Sequence, residues 1–155
     1  MSRFFKTVLL TGLFVGTTDI LSAYISVTIQ SQFPKKMFYV IAAGALGTKT
    51  ALAGGNWVAL LGLFFHYFIA FSFTLFFFWI FPKAKFLAFN KYLIGMLYAI
   101  FVNVVMTVVI LPISRLPPGP FNLNDSVLGW IILGVVLGIP IAYNAYKYYG
   151  VDRKM

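Results

Sequence analysis

Residues 57–80 read WVALLGLFFHYFIAFSFTLFFFWI, an apolar run that contains no Asp, Glu, Lys or Arg. A helix needs about 20 predominantly apolar residues to cross the hydrocarbon core of a bilayer. A helix also satisfies its own backbone polar groups where water is absent. Residues 57–80 are therefore predicted to form a transmembrane helix.

Three further stretches meet the same criterion, at residues 7–29, 92–113 and 127–148. None alternates between polar and apolar residues as the strands of a membrane barrel do. The chain of 155 residues is 61% hydrophobic and only 10% charged, whereas soluble domains carry about 25% charged residues. We predict an all-α polytopic membrane protein, a bundle of four transmembrane helices that forms one integral membrane domain over residues 1–155.

The connection between the first two spans contains a shorter apolar segment. Residues 35–47 read KKMFYVIAAGALG, which is too short to cross a bilayer and begins with two lysines. Such a segment is typical of an amphipathic helix at the membrane interface. The sequence leaves open whether it lies on the bilayer or re-enters it.

The basic residues are placed as membrane anchors. The twelve Lys and Arg give a net charge of +9, but they form short clusters between apolar runs, so the bilayer is the expected partner and nucleic acid is not. With the N-terminus inside, eight of them fall on the cytoplasmic side and four outside. The positive-inside rule then predicts that both termini are cytoplasmic.

Each predicted span carries one face of small residues at helical spacing. Small residues let helix backbones approach closely in lipid, where no hydrophobic force drives helices together. The positions expected to pack between helices are Gly12, Gly16, Gly62, Ala70, Gly95, Ala99, Gly134, Gly138 and Ala142. The opposite faces, rich in phenylalanine on span two, are expected to meet lipid.

Polar groups interrupt three of these faces near the bilayer midplane. Asp19 is expected about 16 Å from the cytoplasmic edge and His66 about 14 Å from the outer edge of a core about 30 Å thick. Asn103 is near the centre of span three, and Ser22, Ser26 and Thr107 would complete a hydrogen-bonded cluster. A carboxylate at that depth costs roughly 2.5–3.5 kcal/mol on insertion scales, so it requires a partner, a proton or water.

The residue inventory excludes several membrane chemistries. The chain has no cysteine, one histidine and three acidic residues. A zinc site uses three or four His, Cys or carboxylate ligands, and an aspartyl protease uses two aspartates that share a proton. We therefore expect no metal, no cofactor and no enzymatic activity.

Several short segments resemble a known family. GTTDILSAY at 16–24, LGLFFHYFIAF at 61–71 and LPISRLPP at 111–118 resemble the YagU-like family of uncharacterised bacterial inner-membrane proteins. The resemblance implies a four-helix fold in the bacterial cytoplasmic membrane and supplies no activity. Similar sequences often carry a histidine early in span four, where this chain reads WIILGVV at 130–136.

Two functional interpretations remain open. In the first, the chain is a small transporter or channel-like module, proton-linked in one version, in which Asp19 and His66 form a buried pair. In the second, it is a membrane scaffold or assembly partner whose buried polar residues only hold helices together. Either could act as a homo-oligomer, and the sequence names no substrate or protein partner.

Overall fold

The computed structural model describes residues 2–29, 35–116 and 123–151, and these ranges contain helices and no strand. Four helices are long and apolar enough to cross a membrane, here called spans one to four: Arg3–Ile29, Asn56–Ile80, Lys91–Ile113 and Val127–Tyr149. The predicted all-α fold with four membrane-spanning helices is confirmed. Span one begins four residues earlier than predicted, because a helix continues beyond the apolar run wherever its backbone bonds can form.

The helices follow one another with short connections. Span one is α1 (Arg3–Ile29); α2 (Lys35–Leu46) and α3 (Thr48–Ala53) precede α4 (Asn56–Ile80), which is span two. A 3₁₀ turn (Lys85–Ala88) leads to span three, which joins α5 (Lys91–Val105), a π-helical turn (Met106–Ile110) and α6 (Leu111–Ile113). Span four joins the end of α7 (Leu123–Leu133), a second π-helical turn (Gly134–Gly138) and α8 (Ile139–Tyr149).

Both π-helical turns lie just ahead of a proline. Pro112 and Pro140 each follow the end of such a turn by two residues. Proline has no amide hydrogen, and its ring crowds the carbonyl group four residues earlier. A wider turn relieves that crowding without ending the helix, and such turns occur frequently at functional sites.

Span one packs against spans two and four, and span three packs against span four. The start of α1 meets the end of α8, where the rings of Phe4 and Tyr148 are 5.9 Å apart. Both chain ends of the bundle therefore lie at the same end of the molecule. This agrees with an even number of membrane crossings.

Tyrosine hydroxyl groups link the helices inside this bundle. Tyr98 donates to the carbonyl of Phe73 at 2.6 Å, and Tyr146, which is fully buried, donates to the carbonyl of Leu87 at 2.6 Å. A polar group in the hydrocarbon core has no water with which to form a hydrogen bond. Each tyrosine thus buries its ring and keeps its hydroxyl group bonded.

The nine small residues predicted to pack between helices all lie at buried positions. A side chain on Gly95 in span three would place its Cβ atom 2.6 Å from the backbone Cα atom of Ile139 in span four. Gly62 faces the Phe38 carbonyl of α2 in the same way. Close approach of backbones is thus the reason for glycine at these two points.

The Phe-rich face of span two is only partly outward. Phe64 and Phe68 are more than 60% exposed, as expected for contact with lipid. The same expectation is wrong for Phe78, which is fully buried and packs beside Phe4. At that end α1 and α8 converge on span two, and the gap between them is filled by a large ring.

The short helix predicted between spans one and two is confirmed as α2. It packs lengthwise against α4, with its Phe38 carbonyl at Gly62, about 9 Å along the axis from the start of α4. The amide of Arg115, after span three, donates to the Gly44 carbonyl at 2.9 Å. This helix therefore fits between the ends of two spans.

Candidate functional site

A cavity of about 300 Å³ lies between the spans. Asp19, His66 and Asn103 supply its polar wall, from spans one, two and three. Its apolar wall comes from Ile41, Ile69, Ala70, Phe73, Val102, Met106, Leu133 and Leu137. Every span and α2 contribute to this one space, which we call the central cavity.

The polar residues meet because α1 and α4 run antiparallel. Asp19 lies ten residues before the end of α1, and His66 lies ten residues after the start of α4. Both are therefore about 15 Å from the same end of the bundle. Close packing at Gly16, whose Cβ would lie 2.8 Å from the Tyr67 ring, brings the two helices together at this level.

Asp19 brings a carboxyl group to the central cavity. It is half-buried, and within the described ranges no side chain pairs with it or donates a hydrogen bond to it. The Ser22 hydroxyl donates to the backbone carbonyl of Asp19 at 2.8 Å and not to its carboxyl group. The carboxyl oxygens are therefore available to whatever occupies the cavity.

His66 is held in place by a neighbouring helix. Its Nε2 lies 2.8 Å from the Gly16 carbonyl oxygen. Because a carbonyl only accepts, Nε2 carries the hydrogen of this bond, and in the neutral ring Nδ1 is then the acceptor.

The expectation of a buried Asp19–His66 pair is wrong. Both side chains are only half-buried, and His66 directs its Nε2 to Gly16 rather than to the carboxylate. The physical reason is that α1 and α4 pack closely at Gly16, so the nearest acceptor for Nε2 is the Gly16 carbonyl. Asp19 and His66 share the cavity as neighbours.

Asn103 is oriented by a contact within the bundle. Its Oδ1 accepts a hydrogen bond of 2.8 Å from Nε1 of Trp130 on span four. Trp130 thus serves inside the protein, although its place near a span end also suits an interfacial anchor. The amide nitrogen of Asn103 keeps its two hydrogens for the cavity side.

The three remaining predicted residues lie elsewhere. The Ser22 hydroxyl donates to the Asp19 carbonyl of its own helix. Ser26 is half-buried and does not line the cavity. Thr107 is exposed, and Met106 lines the cavity in its stead. Thr107 falls within the π-helical turn, where the 3.6-residue spacing that pointed from Asn103 to Thr107 no longer holds.

Sequence reasoning missed the contribution of α2 and of the π-helical turns. Ile41 on α2 lines the central cavity, and so does Leu137 in the second of these turns. Pro112 and Pro140 were the available signal for the two turns, since each disturbs helical spacing. No signal in the sequence located Ile41.

The arrangement offers little to a metal ion. Within the described ranges, no three His, Cys, Asp or Glu side chains come together. The available groups are one carboxyl, one imidazole and one amide, which can bind or pass a proton, a small cation or water. The chain matches no protein-family model, no curated protein and no solved structure.

Proposed function

We propose that the protein is a small membrane transporter or channel-like module in which the Asp19 carboxyl group binds a proton or a small cation. One observation carries the proposal: the Asp19 carboxyl group, to which no described residue donates a hydrogen bond, lines a cavity of about 300 Å³ to which all four spans contribute. Ionisable residues inside membrane spans mark ion and proton pathways. The activity is non-enzymatic.

The chemistry follows from the cost of charge in an apolar setting. A carboxylate among side chains such as Phe73 and Leu137 is stabilised only by a proton, a cation or water in the cavity. The cavity volume has room for several water molecules, each of which takes about 30 Å³ in the liquid. Loss of the proton from Asp19 is thereby coupled to the entry of a cation or water into the cavity.

His66 and Asn103 have supporting roles in this scheme. The His66 Nδ1 can accept a proton that leaves Asp19, because Nε2 is already committed to Gly16. The amide hydrogens of Asn103 can orient water beside the carboxyl group, because its oxygen is held by Trp130. Each group is fixed by a bond that leaves its other polar atom for the cavity.

The test is proton and cation flux into liposomes that contain the purified protein, recorded with an internal pH-sensitive dye under an imposed potential at several pH values. The variant Asp19→Asn should abolish a pH-dependent flux while retaining helical content and expression. Asp152→Asn, which removes a carboxyl group from the C-terminal residues beyond the described range, is the matched control and should leave flux unchanged. Equal flux in wild type and Asp19→Asn, or wild-type flux no greater than that of empty liposomes, overturns the proposal.

A second candidate function is a membrane scaffold or assembly partner. It is favoured by the polar bonds that join α1 to α4, namely His66 to Gly16 and the 2.8 Å bond between the Thr17 and Tyr67 hydroxyl groups. In that role Asp19→Asn weakens helix packing or partner co-purification and alters no flux. A strictly monomeric state in detergent also favours it, because a chain of four spans often forms its pathway only as an oligomer.

We also propose that the protein resides in the bacterial cytoplasmic membrane with both termini in the cytoplasm, as a member of the YagU-like family. The distribution of Lys and Arg supports the orientation. The motifs at 16–24 and 61–71 support the family. Protease accessibility of tags at each terminus in inside-out vesicles tests the orientation.

A further inference from the structure

A second space, separate from the central cavity, runs along the outside of the bundle between α1 and α8. It is an open groove of about 660 Å³, which we call the α1–α8 groove. Arg3 and Lys147 line one end, and Leu10, Phe14 and Ile139 line the other. The groove begins at the end of the bundle where α1 starts and α8 stops.

The charged end of the groove is cationic. Arg3 lies 5.8 Å from the centre of the Tyr148 ring, and Nζ of Lys91 lies 5.1 Å from the Tyr143 ring, which also lines the groove. Among the described residues that line the groove, none is acidic. The end is therefore complementary to an anion.

The middle of the groove holds polar groups with free capacity. Thr11 is only 3% exposed, and in the described part of the chain its hydroxyl has no hydrogen-bond partner. Asn144 donates one amide hydrogen to the Pro140 carbonyl at 2.8 Å, which leaves its second amide hydrogen as a donor. The Thr11 hydroxyl and the Asn144 amide are donors in the wall of the groove, so ester oxygens of a ligand there can accept hydrogen bonds from them.

The far end of the groove is apolar and exposed. Leu10 is 56% and Phe14 is 55% exposed. The distance from Arg3 to Phe14 along α1 is about 16 Å, which is close to half of a hydrocarbon core about 30 Å thick. The groove therefore extends from the headgroup level over about the depth of one leaflet.

The side chains along the groove change from cationic to polar to apolar. From this order we propose that the α1–α8 groove is a binding site for one anionic phospholipid. The phosphate lies between Arg3 and Lys147, the glycerol and ester region meets Thr11 and Asn144, and an acyl chain lies on Leu10 and Phe14. Basic pockets between membrane helices bind anionic headgroups in this way. A soluble phosphate ion would occupy only the cationic end and would make no use of the apolar wall.

The first test is native mass spectrometry of the full chain in a nonionic detergent with dioleoylphosphatidylglycerol or dioleoylphosphatidylcholine. One phosphatidylglycerol should bind in preference to phosphatidylcholine. The double variant Arg3→Gln, Lys147→Gln should weaken its binding about fivefold for each charge removed. The matched control Lys83→Gln, Lys85→Gln removes two exposed charges from the loop after span two and should retain binding.

Three outcomes overturn the proposal. Equal binding of the two lipids removes the charge recognition, and equal losses in both double variants indicate a general surface attraction. Competition by glycerol 3-phosphate at the same concentration as the lipid assigns the cationic end to a free phosphate instead.

A second measurement keeps the proposal testable if the charge variants fold poorly. The chain contains no cysteine, so Leu10→Cys introduces one reactive thiol in the groove. Leu13→Cys, on the same helix and 44% exposed but outside the groove, is its control. Phosphatidylglycerol should slow maleimide labelling at position 10 and not at position 13, and equal rates at position 10 with both lipids contradict the site.

Discussion

The hydroxyl of Thr18 on α1 lies 2.8 Å from the carbonyl oxygen of Val136 on span four. The carbonyls of its own helix are farther away, Phe14 at 3.0 Å and Val15 at 3.1 Å, so Val136 is the acceptor of its single hydrogen that lies nearest. Val136 lies four residues before Pro140, which has no amide hydrogen to offer that carbonyl. In lipid, such a freed carbonyl is satisfied by a neighbouring helix or a Ser/Thr side chain. Thr18 therefore compensates for a proline in another span and fixes α1 against the π-helical turn beside the central cavity.

Replacing Thr18 by valine should destabilise the bundle by about 1 kcal/mol, the usual worth of a hydrogen bond between membrane helices. Valine keeps the branched shape and removes only the donor. Thr28→Val is the control, because the Thr28 hydroxyl bonds to Tyr24 of its own helix. The midpoint of unfolding by SDS in mixed micelles measures both, and an equal shift in the two variants would contradict the interhelical role.

The proline should be the reason that Thr18 matters. In Pro140→Ala the alanine amide can bond to Val136, so the carbonyl no longer depends on Thr18. The cost of Thr18→Val should then fall by at least half in the Pro140→Ala background. A double-mutant cycle of SDS midpoints measures this coupling. Additive effects of the two substitutions would mean that the hydrogen bond of Thr18 does not compensate for Pro140.

Gly95→Ala should destabilise the contact between spans three and four by about 1–3 kcal/mol, the range for overpacking. The new methyl group would meet the backbone of Ile139 at 2.6 Å, and backbone cannot rotate away as a side chain can. Gly129→Ala, in span four, meets nothing within 4 Å and should be neutral or slightly stabilising, since alanine favours a helix. Thermal unfolding in detergent compares them, and a neutral Gly95→Ala would remove close packing as the reason for this glycine.

The four spans could be predicted because length and apolarity are properties of each helix alone. The faces of small residues could be predicted for the same reason, since spacing of three and four is a local rule. The common level of Asp19 and His66 followed from counting residues along two antiparallel helices. These features need no knowledge of how the helices rotate against one another.

The remaining features depend on that rotation. Phe78 lies inward because α1 and α8 converge beside it, and the His66 ring bonds to Gly16 because the helices cross closely there. Thr107 left the cavity face because a π-helical turn changed the helical phase. Each outcome is a relation between elements, so periodicity within one element could not reveal it.

Tyr146→Phe should loosen the connection between spans two and three. The Tyr146 ring is fully buried in α8, and its hydroxyl donates to the Leu87 carbonyl in the 3₁₀ turn at 2.6 Å. Removing the donor leaves that carbonyl without this bond, at an expected cost of about 1–3 kcal/mol. Because the phenylalanine ring still fills the space, the loss should be local.

Hydrogen exchange of residues 85–88 measures that loss and should become faster in Tyr146→Phe, while the centres of the four spans stay protected. Tyr92→Phe is the control, since its ring is 57% exposed. Unchanged exchange in the 3₁₀ turn of Tyr146→Phe would mean that the turn is held by the packing of Leu87, which is itself buried, and not by the tyrosine hydroxyl. Faster exchange throughout α8 would instead assign the hydroxyl to the stability of the whole span.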